Sequence, residues 1–108
     1  MKTFLLLIVF ILTLGASEKS LEKVSIQLMW LGQFQFAGYY MAKEKGFYED
    51  IGLDIEIREW KNGILVRDEL VNQRSTFGIM RSAALIDISN GAKLKFLAAI
   101  YQSSPLVL

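Results

Sequence analysis

The stretch VSIQLMWLGQFQFAGYYMAKEKGFYEDIGLDIEIRE, residues 24–59, indicates the class of fold because its hydrophobic period changes twice. Residues 24–30 alternate apolar with polar side chains, which predicts a β-strand. Residues 33–45 carry strong helix formers and end at Gly46, a residue that commonly terminates helices. Residues 53–59 alternate again, with charged side chains on the second face, as expected for a strand at the edge of a sheet. The stretch therefore predicts a strand–helix–strand unit.

The rest of the chain continues this alternation of strands and helices. The patterns predict a helix over residues 64–73, a short strand over 77–80, a helix over 82–90 that closes at Gly91, and an apolar strand over 94–101. Ser82 stands where the N-cap hydroxyl of the third helix belongs. The order β-α-β-α-β-α-β predicts an α/β fold with a mostly parallel sheet, right-handed crossovers and helices on both faces.

The amino terminus has the layout of a secretory signal peptide. Lys2 precedes an apolar run over residues 4–14, and the small residues 15–17 follow it. The run is shorter than the roughly 20 residues of a membrane-spanning helix, so an uncleaved anchor is the less favoured alternative. We therefore predict a signal peptide over 1–16, a short polar lead-in over 17–23, and one unit over 24–108. The mature product is expected in the periplasm.

Composition excludes several classes of function. Without Lys2 the chain has eleven basic and eleven acidic side chains, so no basic field indicates a nucleic-acid partner. The absence of histidine and cysteine rules out disulfides and a histidine-based catalytic triad, and we find neither a P-loop nor metal-ligand spacing. We predict a binding protein that is not an enzyme and carries no cofactor or metal.

Four junctions are expected at the ligand-binding edge of the sheet, because parallel sheets bind ligands at the carboxyl ends of their strands. These junctions are residues 30–36, 60–63, 81–83 and 102–104. In the third junction, backbone N–H groups at Ser82 and the side chain of Arg81 would suit a carboxylate, a phosphate or a polar ring edge.

Each of these residues also has a purely structural interpretation. Core packing explains Trp30 equally well, a surface ion pair explains Arg81, and a helix cap explains Ser82. Tyr39 and Tyr40 point about 100° apart on a helix, so at least one of the two belongs to the core.

Three segments together resemble the amino-terminal lobe of the thiamine pyrimidine synthase-like substrate-binding family. They are QLMWLGQFQFAGYYMAKEKGFYEDIGLDIEIRE (27–59), VNQRSTFGI (71–79) and LAAIYQSSPLVL (97–108). The resemblance implies a lobe of the periplasmic-binding-protein-like fold of type II. Members of this family include two-lobed solute receptors of ABC importers, and many in the subgroup with W-x-x-Q-F-Q-F-A-G-Y-Y are periplasmic sensor modules ahead of signalling domains.

The resemblance also implies a ligand cleft and its residues. Arg81 and Ser82 are expected at a helix terminus facing the ligand, and Gln102 and Ser103 near the crossing to a second lobe. The first wall of the cleft is expected to consist of Trp30, Gln33, Phe34, Phe36 and Tyr39. Such rings suit a flat, weakly charged ligand. The family often has an acid where this chain has Thr76 and a histidine where it has Ser103, and these departures leave the ligand's identity open.

Three functions follow from these observations. The first is an extracytoplasmic solute-binding protein that delivers a thiamine-precursor-like heterocycle to the membrane subunits of an ABC importer. The second is the sensor input module of a membrane histidine kinase or diguanylate cyclase. The third, an enzyme of thiamine pyrimidine biosynthesis, is disfavoured because that chemistry consumes a histidine and needs cysteines. Since a two-lobed receptor has two to three times this length, the chain is expected to be a fragment that exposes a sheet edge.

Overall fold

The protein is an α/β structure with a three-stranded parallel sheet. The computed structural model describes residues 20–101 and residue 103. Its strands are β1 (Glu22–Gln27), β2 (Leu53–Arg58) and β3 (Phe77–Gly78), in the order β2-β1-β3. A 3-10 turn at Phe34–Phe36 precedes four helices: α1 (Ala37–Glu44), α2 (Phe47–Asp50), α3 (Val66–Val71) and α4 (Ala84–Ser89). The predicted α/β class is confirmed.

Two sequence predictions fall wholly or partly beyond the part of the chain that the structure describes. The predicted signal peptide, residues 1–16, lies outside it, and so do residues 17–19 of the lead-in. Strand β1 begins at Glu22, two residues before the predicted start, so the end of the lead-in belongs to the sheet. Between residues 20 and 101, no helix is long and apolar enough to cross a lipid bilayer.

Strand β1 is the centre of the sheet. It pairs with β2 over six residues, from Glu22 opposite Leu53 to Gln27 opposite Arg58, and with β3 only at its carboxyl end. Strand β2 lies at the edge, as its alternating charged residues predicted. Lys43 of α1 donates to the backbone carbonyl of Ile55 in this strand at 2.8 Å, which satisfies one of its acceptors.

The first face of the sheet carries the main apolar cluster. Val24 and Ile26 of β1 pack with Ile55 of β2, and all three are buried. Tyr39 of α1 and Tyr48 of α2 pack against this cluster. Helices α1 and α2 therefore cover this face.

The second face is covered by α3. Gln27 and Gly78 are paired across β1 and β3, so both positions face away from the first cluster. A Cβ atom on Gly78 would lie 2.5 Å from Val66 Cγ1 and 2.9 Å from Leu70 Cδ1, both in α3. Helix α3 therefore packs directly on the backbone of β3, and helices lie on both faces as predicted.

The predicted fourth strand over residues 94–101 is wrong. Residues 92–99 are neither helix nor strand, and Phe96, Leu97 and Ile100 are 50%, 71% and 63% exposed. An apolar run becomes a strand only when a neighbouring strand offers it a ladder of hydrogen bonds. Strand β3 has two residues and pairs with β1, and within the described residues no strand pairs with this run.

The predicted hydroxyl cap of Ser82 is also wrong. Helix α4 begins at Ala84, its N-cap residue is Ala83, and no side chain caps it. Ser82 instead contributes its backbone carbonyl, which accepts a hydrogen bond from the Leu85 N–H at 3.0 Å. The N–H groups of Ala84 and Leu85 already donate to the backbone carbonyls of Arg81 and Ser82. Ser82 therefore lies within a helical turn, and its hydroxyl is not at the N-cap position. The helix does end before Gly91, whose φ is +92°, as predicted.

Candidate functional site

Two tryptophans stack at the carboxyl edge of the sheet. Because β1 and β2 are parallel, the segments that follow Gln27 and Arg58 leave the sheet at the same edge. The ring centroids of Trp30 and Trp60 are 4.9 Å apart with an angle of 24° between the planes. The backbone N–H of Trp60 donates to the Trp30 carbonyl at 3.3 Å, and Trp30 is 44% exposed. The edge therefore presents a stacked aromatic pair to solvent.

A buried amide holds the two segments together beneath this pair. The side chain of Gln27 is 1% exposed, and its Nε2 donates to the backbone carbonyls of Leu28, Arg58 and Glu59 at 3.1, 3.2 and 3.2 Å. One side chain of β1 thus fixes the backbone that carries Trp60. Buried amides form such bonds because an unpaired polar group in the interior is costly.

A hydrogen bond from the indole ring also orients Trp60. Its ring Nε1 donates to the Ile64 carbonyl at 3.0 Å across the turn that contains Gly63, whose φ is +85°. This bond and the stacking on Trp30 limit the rotation of the indole. The pair is therefore arranged before any ligand arrives, which lowers the entropy cost of binding.

A carboxylate is held close to the backbone that follows Trp30. Glu59 directly precedes Trp60, and its Oε1 accepts a hydrogen bond from the hydroxyl of Tyr40 at 2.9 Å. A Cβ atom on Gly32 would collide with this carboxylate, so the glycine leaves room for it above the backbone. Partial burial raises the pKa of Tyr40, and the hydrogen bond and charge of Glu59 raise it further. The site therefore combines two rings with one oriented acceptor.

The predicted first wall of the cleft is divided between the surface and the core. Gln33 is exposed and Phe34 is 94% exposed, whereas Phe36 is only 2% exposed. Tyr39 packs on the strand cluster, and its pKa is raised first by burial and then by the neighbouring Tyr48 and Tyr101. The structure therefore brings Trp30 to the edge and turns Phe36 and Tyr39 inward. That the five residues of this predicted wall contact a ligand stays a prediction.

The other predicted site residues follow β3 or lie near the carboxyl terminus. Arg81 and Ser82 are exposed, and neither side chain forms a hydrogen bond or ion pair within the described residues. Ser103 is exposed, and Gln102 lies outside the part of the chain that the structure describes. The ligand-binding roles of these four residues also stay predictions.

The sequence interpretation did not select Trp60, Glu59 or Tyr40 as site residues. Trp60 fell in one of the four expected junctions, but it was not paired with Trp30. The available signal was a tryptophan two or three residues after the end of each of two strands that the crossover makes neighbours. In the sequence, Glu59 resembled the last polar residue of an edge strand. Only the hydrogen bond from Tyr40 distinguishes it from the other charged residues of that strand pattern.

The chain matches a known protein family over most of its length. A family described as NMT1/THI5 like matches residues 33–108, well over half of the chain. The chain belongs to the NMT1/THI5-like family. Its domains are typically substrate-binding domains, which supports a solute-binding role. The matched range includes Tyr40, Glu59 and Trp60, whereas Trp30 precedes it by three residues.

Two further results complete the comparison. No curated protein and no solved structure matches the chain. The three-stranded parallel sheet of this NMT1/THI5-like chain is compatible with a lobe of the periplasmic-binding-protein-like fold.

Within residues 20–101 and residue 103, no group of three or more acidic, histidine or cysteine side chains could hold a metal ion.

Proposed function

We propose that this NMT1/THI5-like chain binds a small heterocyclic molecule as part of an extracytoplasmic solute-binding protein. The observation that carries the proposal is the Trp30–Trp60 pair at the carboxyl edge of β1 and β2. Parallel sheets bind ligands at this edge. A partly exposed stacked pair offers a flat ligand a large apolar surface with few rotatable bonds to immobilise.

The proposals for the lobe, the ligand, the cellular location and the partners rest on the sequence pattern together with family membership. The chain corresponds to part of the amino-terminal lobe of a two-lobed receptor, and its ligand is a thiamine-precursor-like heterocycle. The signal-peptide layout of residues 1–17 supports a periplasmic location. Its partners are then the membrane subunits of an ABC importer, and it acts by binding rather than by catalysis.

The run of residues from Trp30 to Tyr40 favours a second candidate function. WLGQFQFAGYY is the pattern that resembles periplasmic sensor modules, in which ligand binding is read by a kinase or cyclase domain inside the cell. Sequencing the gene beyond the codon for Leu108 distinguishes the two functions. A second lobe followed by a transmembrane segment and a signalling domain supports the sensor, and a second lobe followed by a stop codon supports the importer receptor.

Replacing Trp30 with alanine tests the proposed site. The expected result is that the binding of hydroxymethylpyrimidine, the pyrimidine precursor of thiamine, weakens by about 1 to 3 kcal/mol because the stacking surface is lost. Isothermal titration calorimetry measures this change as an increase in Kd of roughly 5- to 150-fold.

Trp30→Phe is the matched control, because it keeps an aromatic face at the same position. It is expected to retain most of the affinity. Thermal melting of both variants separates binding from folding. If Trp30→Ala binds as tightly as the unchanged protein and only melts at a lower temperature, Trp30 is a packing residue and the proposed site is wrong.

A further inference from the structure

Glu59 is an acid close to the tryptophan pair in the chain, and its carboxylate lies against the backbone that follows Trp30. It adjoins Trp60 in the chain, and a Cβ atom on Gly32, two residues after Trp30, would touch its carboxylate. None of the four ion pairs in the described part of the chain includes Glu59. The neighbouring Arg58 is turned to Glu56 and to the Arg74 carbonyl. The carboxylate of Glu59 therefore keeps its charge available to a ligand.

Tyr40 orients this carboxylate without using all of its acceptor capacity. Its hydroxyl donates to Oε1 at 2.9 Å. An ionised carboxylate has about four lone-pair sites, so Oε2 and the remaining positions of Oε1 can accept further hydrogen bonds. The side chain of Glu59 is exposed, so these acceptor positions are open to a ligand.

We propose that Glu59 makes this site selective for planar aromatic cations, namely flat rings that carry an amidinium-like group with N–H donors. This inference rests on the proposed function, since the ring of the ligand is taken to stack on the tryptophan pair. The N–H groups then donate to Glu59 in charge-assisted hydrogen bonds, which are shorter and stronger than neutral ones. The indole face adds attraction for a positive charge. A neutral ring of the same shape gains the stacking and weaker hydrogen bonds, without the attraction between opposite charges.

Benzamidinium and benzamide form a matched pair of probes for this proposal. Both are flat and nearly identical in shape, but only benzamidinium is positively charged at neutral pH. Because Trp30 and Trp60 are the only tryptophans in the chain, tryptophan fluorescence reports on the site itself. We expect benzamidinium to bind about tenfold or more tightly than benzamide, as expected for a charge-assisted rather than a neutral pairing.

Three variants locate the source of that preference. Glu59→Gln keeps the shape of the side chain and is expected to remove the tenfold preference, because it weakens the binding of benzamidinium much more than that of benzamide. Tyr40→Phe removes only the orienting hydroxyl and is expected to reduce the preference by a smaller factor. Asp54→Asn removes a charge from an exposed position of β2, the strand that directly precedes Glu59, and is expected to leave the preference intact.

The outcomes separate the failure of this inference from the failure of the proposed function. If both probes bind equally well and Glu59→Gln changes neither affinity, the charge selectivity is wrong, but ring binding at the pair stands. If Asp54→Asn reduces the preference as much as Glu59→Gln does, the effect is a general one of net charge, and the inference is also wrong. If neither probe binds, both the inference and the proposed ring-binding site are overturned.

Discussion

Replacing Phe36 with alanine is expected to lower the free energy of unfolding by about 3 to 5 kcal/mol, the usual cost of removing a buried aromatic ring. Phe36 ends the 3-10 turn before α1 and is 2% exposed, so the truncated side chain leaves a cavity. Urea denaturation followed by circular dichroism measures the loss. Phe36→Leu is the milder variant, and it gives a readable transition if the alanine variant is too unstable to analyse.

Phe34 provides the matched control for this change. It lies two residues earlier in the same turn and is 94% exposed. Phe34→Ala is expected to change the unfolding free energy by no more than about 0.5 kcal/mol, because exposed side chains contribute little to stability. Equal destabilisation by the two alanine variants would contradict the division of this turn into a core position and a surface position.

Replacing Gly78 with alanine is expected to destabilise the protein by about 1 to 3 kcal/mol, since the added methyl group overpacks the contact between β3 and α3. The new Cβ would lie 2.5 Å from Val66 Cγ1 and 2.9 Å from Leu70 Cδ1. Those atoms belong to side chains of a helix packed on the strand, and the branched Val66 has little rotamer freedom, so relief requires the side chains or the helix to move. Thermal melting and urea titration both measure the effect.

Gly38→Ala is the corresponding control in α1. No atom lies within 4 Å of a Cβ placed on Gly38, so the added methyl group meets open space. Alanine has the higher helix propensity, and this variant is expected to be more stable by about 0.5 kcal/mol. If Gly78→Ala proved as harmless as Gly38→Ala, the close packing of α3 on β3 would be wrong.

The hydrophobic period correctly predicted the strands whose partner strand is the next one in the sequence. The alternation in residues 24–30 and 53–59 identified β1 and β2, and Gly46 correctly indicated the end of α1, because its φ of +73° is one that glycine adopts freely. The period failed over residues 94–101. There the outcome depends on whether a partner strand is present, and an apolar run carries no information about that.

The site was only partly predictable for a related reason. The carboxyl-edge rule selected Trp30 and the junction that contains Trp60, but their stacking depends on the register that places Gln27 opposite Arg58. Likewise, the bond from Tyr40 to Glu59 depends on how α1 is rotated on the sheet. Register and rotation result from packing among many side chains, and no local motif specifies them.

The binding role of the tryptophan pair can be tested by following the two indole N–H signals of nitrogen-15-labelled protein during a titration with hydroxymethylpyrimidine. The only tryptophans are Trp30 and Trp60, so each signal reports on one half of the pair. If the pair forms the wall of a ligand site, both signals shift together and saturate with a single Kd. If neither signal moves while backbone signals elsewhere do, the ligand binds at another place, and the central claim is contradicted.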